Sequence, residues 1–142
     1  MSTSDANWTW QCDEIIPNDP VIGRRLLDDL LRRLESQHWA RRDVFAVHLA
    51  VDEALINAIH HGNALDHSKH VRFCCRISPE KVRIEITDEG PGFNPDSVPD
   101  PTDPSHLGCP GGRGVMLMRA FMSHVEFPKP GNCVVLERTR RG

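Results

Sequence analysis

A stretch rich in proline and glycine, residues 89–112, constrains the fold of this chain more than any other feature. It holds more than half of the chain's 11 prolines. Proline lacks a backbone donor and fixes φ, so no helix or strand is expected to persist through this stretch. A loop of this length within a compact domain is typically a functional lid or a disordered segment. Regular structure is therefore predicted on either side of it.

Before the loop, the apolar pattern predicts an edge strand, two helices and two strands. The strand covers residues 8–16, and the first helix covers residues 21–39 after a start signal at Asn18, Asp19 and Pro20. The second helix covers residues 43–61, and Gly62 and Asn63 are expected to end it as a left-handed cap. Strict alternation then predicts two strands, at residues 70–77 and 81–87.

After the loop, the pattern predicts one helix, at residues 114–122, and two strands, at residues 123–127 and 133–139. Strands that alternate on one face and helices with one apolar stripe pack as two layers. The prediction is an α+β two-layer sandwich forming a single domain over residues 8–139, with flexible termini at residues 1–7 and 140–142.

Composition narrows the function. The chain has 142 residues and a net charge of −3, which gives no reason to expect nucleic-acid binding. Its apolar runs are too short to cross a membrane, and its N-terminus does not have the pattern of a signal peptide. The five cysteines are odd in number and form no C-x-x-C motif, which suits reduced thiols in the cytoplasm.

Three groups of residues are suited to binding a ligand. Glu53, Asn57 and His61 are spaced by four and share one face of the second helix. Amide and carboxylate oxygens are ligands that Mg²⁺ accepts, and a carboxylate also serves as a general base. A solvated helix face is the alternative interpretation.

The other two groups are rich in glycine. Asp88 ends a strand and begins the segment 88–93, in which Gly90 and Gly92 permit close approach of a ligand to the backbone. Gly112, Arg113 and Gly114 open the third helix, where free N–H groups favour anions and Arg113 adds a charged donor. Each segment is also explained by a simple turn or hinge.

The order and spacing of these groups resemble the GHKL superfamily of ATPases and its Bergerat fold. Residues 52–63 resemble its N-box, residues 88–93 its G1 box and residues 112–118 its G2 box. The small size, the H-G-N ending of the N-box and the short lid resemble RsbW-like anti-sigma-factor serine kinases. The resemblance implies a mixed, mainly antiparallel sheet covered on one face by three helices.

The resemblance also implies roles for the matching residues. Glu53 is expected to be the catalytic base, Asn57 to hold Mg²⁺, and Asp88 to bind the adenine amino group. Besides Asn57 and Asp88, ATP is expected to contact six further residues: His61, Gly90, Gly92, Gly112, Arg113 and Gly114. The implied partners are an antagonist protein with an acceptor serine or threonine, a sigma factor, and a second copy of the chain.

The sequence departs from the family pattern where members often have a threonine near the adenine, since residues 131–134 here read Gly-Asn-Cys-Val. Two other functions stay open. One is a non-catalytic protein-binding switch controlled by ATP. The other is a zinc site built from His60, His61, His67 and His70 with Cys74 and Cys75 nearby, for which no recognised ligand spacing is present.

Overall fold

The computed structural model describes residues 7–92 and 112–141. We label its strands β1 to β5, its helices α1 to α3, and the six-residue π-helical segment that continues α2 the π turn. In chain order these elements are β1 (Trp10–Pro17), α1 (Pro20–Ser36), α2 (Arg41–Ile56), the π turn (Asn57–Gly62), β2 (His70–Ile77), β3 (Lys81–Thr87), α3 (Gly112–Phe121), β4 (His124–Glu126) and β5 (Cys133–Thr139).

Helix α1 begins as its sequence predicts. Asp19 is the N-cap, and its Oδ1 accepts a hydrogen bond from the Val21 backbone N–H at 2.9 Å. Leucines at helical spacing, Leu27, Leu30 and Leu34, are fully buried against the sheet. The helix ends at Ser36, earlier than predicted, because the chain turns at His38, whose φ is 63°.

Helix α2 does not continue to residue 61 as a regular α-helix. It changes at Asn57 into the π turn, which ends at Gly62. The predicted left-handed cap at Gly62 and Asn63 is wrong, because Asn63 has a right-handed backbone with φ −87°. The left-handed residues are Ala64 and Leu65, with φ 51° and 59°. The Asn63 side chain instead makes buried hydrogen bonds that the cap prediction did not include.

The described strands form one open sheet in the order β1-β2-β3-β5-β4. Every pairing among them is antiparallel, so the expected mixed component is absent from the described strands. Cross-strand partners such as Ile86 and Val134, or Ile84 and Leu136, are buried and lie in the same core as the helix leucines. The predicted two-layer sandwich is confirmed, with α1, α2 and α3 over this apolar face.

A buried ion pair joins the helices to β5. Asp43, in the first turn of α2, is fully buried, and its Oδ1 accepts a hydrogen bond from Arg138 Nε at 2.8 Å. Arg138 also donates to the Phe121 carbonyl at the end of α3, while Asp43 Oδ2 accepts from the Arg141 backbone N–H at 3.1 Å. One charge pair therefore connects the ends of α2, α3 and β5.

Several predictions concern residues that the structure does not describe. The predicted lid lies outside the described residues from Phe93 to residue 111. Most of the N-terminal segment predicted to be flexible also lies outside them. Within the described ranges, no helix has both the length and the apolar character that crossing a bilayer requires.

Candidate functional site

A cavity of about 260 Å³ lies where the π turn, the end of β3, the start of β5 and α3 meet. This volume is close to the lower end of small-molecule sites, about 300–1,000 Å³. Ala54, Ile86, Met118 and Val134 supply apolar walls, and polar groups are contributed by Asn57, His61, Asp88 and Asn132. A mainly apolar cavity with a few convergent polar groups is suited to a flat, partly polar ring.

Asp88 follows the last residue of β3, and its backbone is held on both sides by Asn132. The Asp88 N–H donates to the Asn132 carbonyl at 2.9 Å, and Asn132 Nδ2 donates to the Asp88 carbonyl at 2.9 Å. The carboxylate Oδ1 accepts from the Gly90 N–H at 2.7 Å. Burial raises the pKa of the Asp88 carboxyl. Its other oxygen, Oδ2, accepts no hydrogen bond from the residues that the structure describes.

Glycines are required around this carboxylate because other parts of the backbone approach so closely. A Cβ atom on Gly62 would lie 2.2 Å from Asp88 Oδ2, and one on Gly90 would lie 2.0 Å from the Gly62 carbonyl oxygen. Gly92 has φ 81°, and a Cβ there would lie 2.1 Å from the Pro130 carbonyl oxygen. The π turn, the segment after β3 and the β4–β5 connection are thus packed against one another through backbone atoms.

Glu53 and Asn57 lie beside the first turn of α3. A Cβ atom on the buried Gly114 would lie 3.2 Å from Glu53 Oε2 and 3.1 Å from Asn57 Nδ2. Asn57 lines the cavity, and its Nδ2 is buried without a hydrogen-bond partner among the described residues. A buried amide that lacks a partner costs free energy, so this group is suited to a polar ligand.

Of the remaining predicted residues, His61 lines the cavity, and Gly112 and Arg113 begin α3 without being among the described lining residues. His61 lines the cavity from the π turn, although the side chain is largely exposed. Gly112 and Arg113 form the first turn of α3, where backbone N–H groups have no partner within the helix, and Arg113 is exposed. The structure therefore brings Asn57, His61, Asp88 and Gly92 to the cavity wall, whereas Glu53 and Gly114 lie beside Asn57 and are not among the described lining residues.

Sequence reasoning missed the residues that hold this arrangement together. Gly62 was predicted to cap the helix and to end the N-box, with no contact to Asp88, yet it lies against the Asp88 carboxylate. Asn132, noted only as a departure from the family pattern, fixes the Asp88 backbone. Burial raises the pKa of the Cys133 thiol, which lies beside Thr87 at the cavity edge. For Gly62 and Asn63, the one sequence signal of a role beyond capping the helix was their short distance from Asn57.

The order of these elements and the cavity at the end of α2 agree with a known family. The chain matches the family model described as the histidine kinase-like ATPase domain over residues 16–138, which is most of its length. The chain belongs to this family. The family implies ATP binding by the domain, and the predicted GHKL-type, RsbW-like ATPase fold is confirmed.

One curated relative of this ATPase domain is the serine/threonine-protein kinase BtrW from Bordetella bronchiseptica, which is 30% identical over 93 residues. The match covers 64% of this chain and 66% of BtrW. A solved structure, that of the RsbU and RsbW domains of Rv1364c from Mycobacterium tuberculosis, superimposes with a TM-score of 0.59 and 18% identity. That match covers 94% of this chain and 32% of the other, and it shows the fold alone. The similarity in sequence is therefore to a serine/threonine-protein kinase, and the similarity in structure is to an RsbW-containing chain of the same fold.

A zinc site was one of the two other functions that the sequence left open. Within residues 7–92 and 112–141, no three or more histidine, cysteine, aspartate or glutamate side chains are grouped as a metal ion requires. The four cysteines in those ranges are free thiols.

Proposed function

We propose that this domain binds Mg·ATP in the cavity beside Asp88 and transfers the γ-phosphoryl group to a serine or threonine of an antagonist protein. The observation that carries the proposal is the distribution of polar groups along the cavity. A half-buried carboxylate, Asp88, lies at one end, and Glu53 and the unpartnered Asn57 amide face the α3 N-terminus at the other.

The residues at the Asp88 end are suited to adenine. The carboxylate has one oxygen engaged by the Gly90 N–H, and the other is left to accept a hydrogen bond from an exocyclic amine. Apolar walls such as Ile86 and Met118 can pack on the faces of a ring. A guanine or hypoxanthine base carries a carbonyl where adenine carries its amine, so the Asp88 carboxylate would repel it.

The residues at the other end are suited to the phosphates. Backbone N–H groups of Gly112, Arg113 and Gly114 begin α3, and a helix N-terminus stabilises anions. Asn57 is the residue that would hold Mg²⁺, which when bound neutralises phosphate charge. In the proposed reaction Glu53 accepts the proton of the acceptor hydroxyl as that oxygen bonds to the γ-phosphorus and the bond to ADP breaks.

The partners in this proposal come from similarity. BtrW is named a serine/threonine kinase, which supports a hydroxyl acceptor on a protein. Sequestration of a sigma factor, a cytoplasmic location and homodimerisation rest on the resemblance to RsbW-like kinases. Light scattering of the purified protein with and without Mg·ADP tests the dimer directly.

The first experiment is calorimetric titration of the protein with ADP, with and without Mg²⁺, on the native chain and on Asp88→Asn. Binding that is lost or strongly weakened in Asp88→Asn supports the nucleotide site. If neither protein binds ADP at millimolar concentration, the ATP-binding proposal is wrong for the isolated chain.

The second experiment tests phosphoryl transfer. Partner proteins are first captured on the immobilised chain in the presence of Mg·ADP and eluted. They are then incubated with the chain and Mg·ATP, and phosphoserine and phosphothreonine are detected by mass spectrometry. Glu53→Gln should bind ADP normally yet transfer no phosphate, and Glu80→Gln, a change at an exposed turn, should behave as the native chain. If nucleotide-dependent retention occurs without transfer by the native chain, the non-catalytic switch is the correct function.

A further inference from the structure

A pair of buried asparagines lies directly behind the Asp88 segment. Asn63 is fully buried, and Asn18 is 2% exposed. Asn63 Nδ2 donates to Asn18 Oδ1 and to the His70 carbonyl, both at 3.0 Å, and Asn63 Oδ1 accepts from the Glu89 backbone N–H at 2.8 Å. Each polar atom of the Asn63 amide thus has a partner, on three different segments.

Asn18 extends the network to the π turn. Its Nδ2 donates to the Ile59 carbonyl at 3.3 Å and to the Asp66 carbonyl at 3.2 Å. Ile59 lies within the π turn, which supplies Asn57 and His61 to the cavity. The two amides therefore join the β1–α1 junction, the π turn, the start of β2 and the segment after β3.

The network reaches Asp88 from both sides without touching its side chain. Glu89, whose backbone N–H Asn63 holds, is the next residue after Asp88. Gly62, the residue before Asn63, lies against the Asp88 carboxylate. Any shift of Asn63 changes both the backbone that carries the carboxylate and the surface on which the carboxylate rests.

We propose that Asn63, supported by Asn18, is a positioning pair that sets the selectivity of the site for an adenine base. The inference rests on the proposed nucleotide site and adds the determinant of base choice. Only an amide satisfies all partners of Asn63, because it must donate twice to carbonyl oxygens and accept once from an N–H. A fully satisfied buried network of this kind fixes a unique arrangement of the groups attached to it.

The test compares ADP with IDP, which replaces the adenine amine with a carbonyl, by calorimetric titration. The variants are Asn63→Ala and the more remote Asn18→Ala. Ser78→Ala is the matched control, since Ser78 is 4% exposed and its hydroxyl accepts from the Glu80 and Lys81 N–H groups at the opposite end of β3.

The native chain and Ser78→Ala should bind ADP more tightly than IDP. Asn63→Ala should lose roughly ten- to hundredfold of that preference, the amount expected for a hydrogen bond to a charged group, while its affinity for IDP changes little. Asn18→Ala should lose a smaller part, and it carries the test if Asn63→Ala does not fold. An equal fall in both affinities, or an unchanged ratio in both asparagine variants, would overturn the positioning role. If the native chain itself shows no preference for ADP over IDP, base recognition by Asp88 is wrong, and the positioning proposal is wrong with it. This outcome is distinguishable from the others because it is measured on the native chain.

Discussion

Gly62→Ala tests whether the π turn holds the Asp88 carboxylate in place. In the native structure the added methyl would lie 2.2 Å from Asp88 Oδ2, 2.3 Å from Cγ and 2.6 Å from Oδ1. The whole carboxylate must therefore move. It cannot turn freely in place, because Oδ1 accepts from the Gly90 N–H and the Asp88 backbone is bonded to Asn132 on both sides. Displacement of the carboxylate should remove its hydrogen bond to the adenine amine.

The size of the effect follows from that hydrogen bond. A hydrogen bond to a charged group contributes about 1.5–3 kcal/mol, so ADP affinity should fall roughly 10- to 150-fold. At a hundredfold excess of ADP over the native dissociation constant, ligand stabilisation of about 2.7 kcal/mol should fall below about 1.5 kcal/mol. Overpacking by one methyl should also lower the stability of the ligand-free variant by about 1–3 kcal/mol.

The measurement is thermal and chemical unfolding with and without ADP, on Gly62→Ala and on Gly23→Ala. Gly23 is buried in α1, where an added Cβ would make ordinary contacts of 3.4 Å with Ile59 and 3.5 Å with Leu55. This control should gain about 0.5–1 kcal/mol in the ligand-free form, because alanine is favoured in a helix, and it should keep the full ADP shift. A native ADP shift in Gly62→Ala would refute the argument that this contact positions Asp88.

Three further predictions concern the charges and the unpartnered amide. Because burial raises the pKa of Asp88, its protonated form stabilises the fold in acid, and this contribution is lost as pH rises through the folded-state pKa. Asp88→Asn should therefore be more stable than the native chain at neutral pH without nucleotide, by a margin that shrinks on acidification in urea titrations, and native ADP affinity should fall over the same acid range. Asn57→Ala should change ligand-free stability by less than about 1 kcal/mol, since it removes an unsatisfied buried N–H, while calorimetry should show loss of the Mg²⁺-dependent part of ADP affinity. Asp43→Ala should cost about 3–5 kcal/mol in urea unfolding, because it leaves the Arg138 charge buried without its partner, and a loss under 1 kcal/mol would contradict that reasoning.

The sequence by itself determined the elements and their order. Period-two alternation placed β2 and β3 at their observed bounds, and Asp19 with Pro20 placed the start of α1, because these signals act between near neighbours in the chain. The order and spacing of three segments, residues 52–63, 88–93 and 112–118, predicted the family. The residues in these segments are recognisable because their places in predicted elements are fixed. Glu53 and Asn57 share one helix face, and Asp88 ends a strand.

Only the tertiary structure decided how those residues come together. The π turn replaces the end of a regular helix, and nothing within residues 57–63 predicts it. Asn63, the residue that follows the turn, is held by Asn18, His70 and Glu89 from distant parts of the chain. Gly62 likewise reads as a helix end until the end of β3 is packed on it. Hydrogen bonds and close contacts between segments far apart in sequence leave no local pattern, and in this domain those contacts position the carboxylate of Asp88.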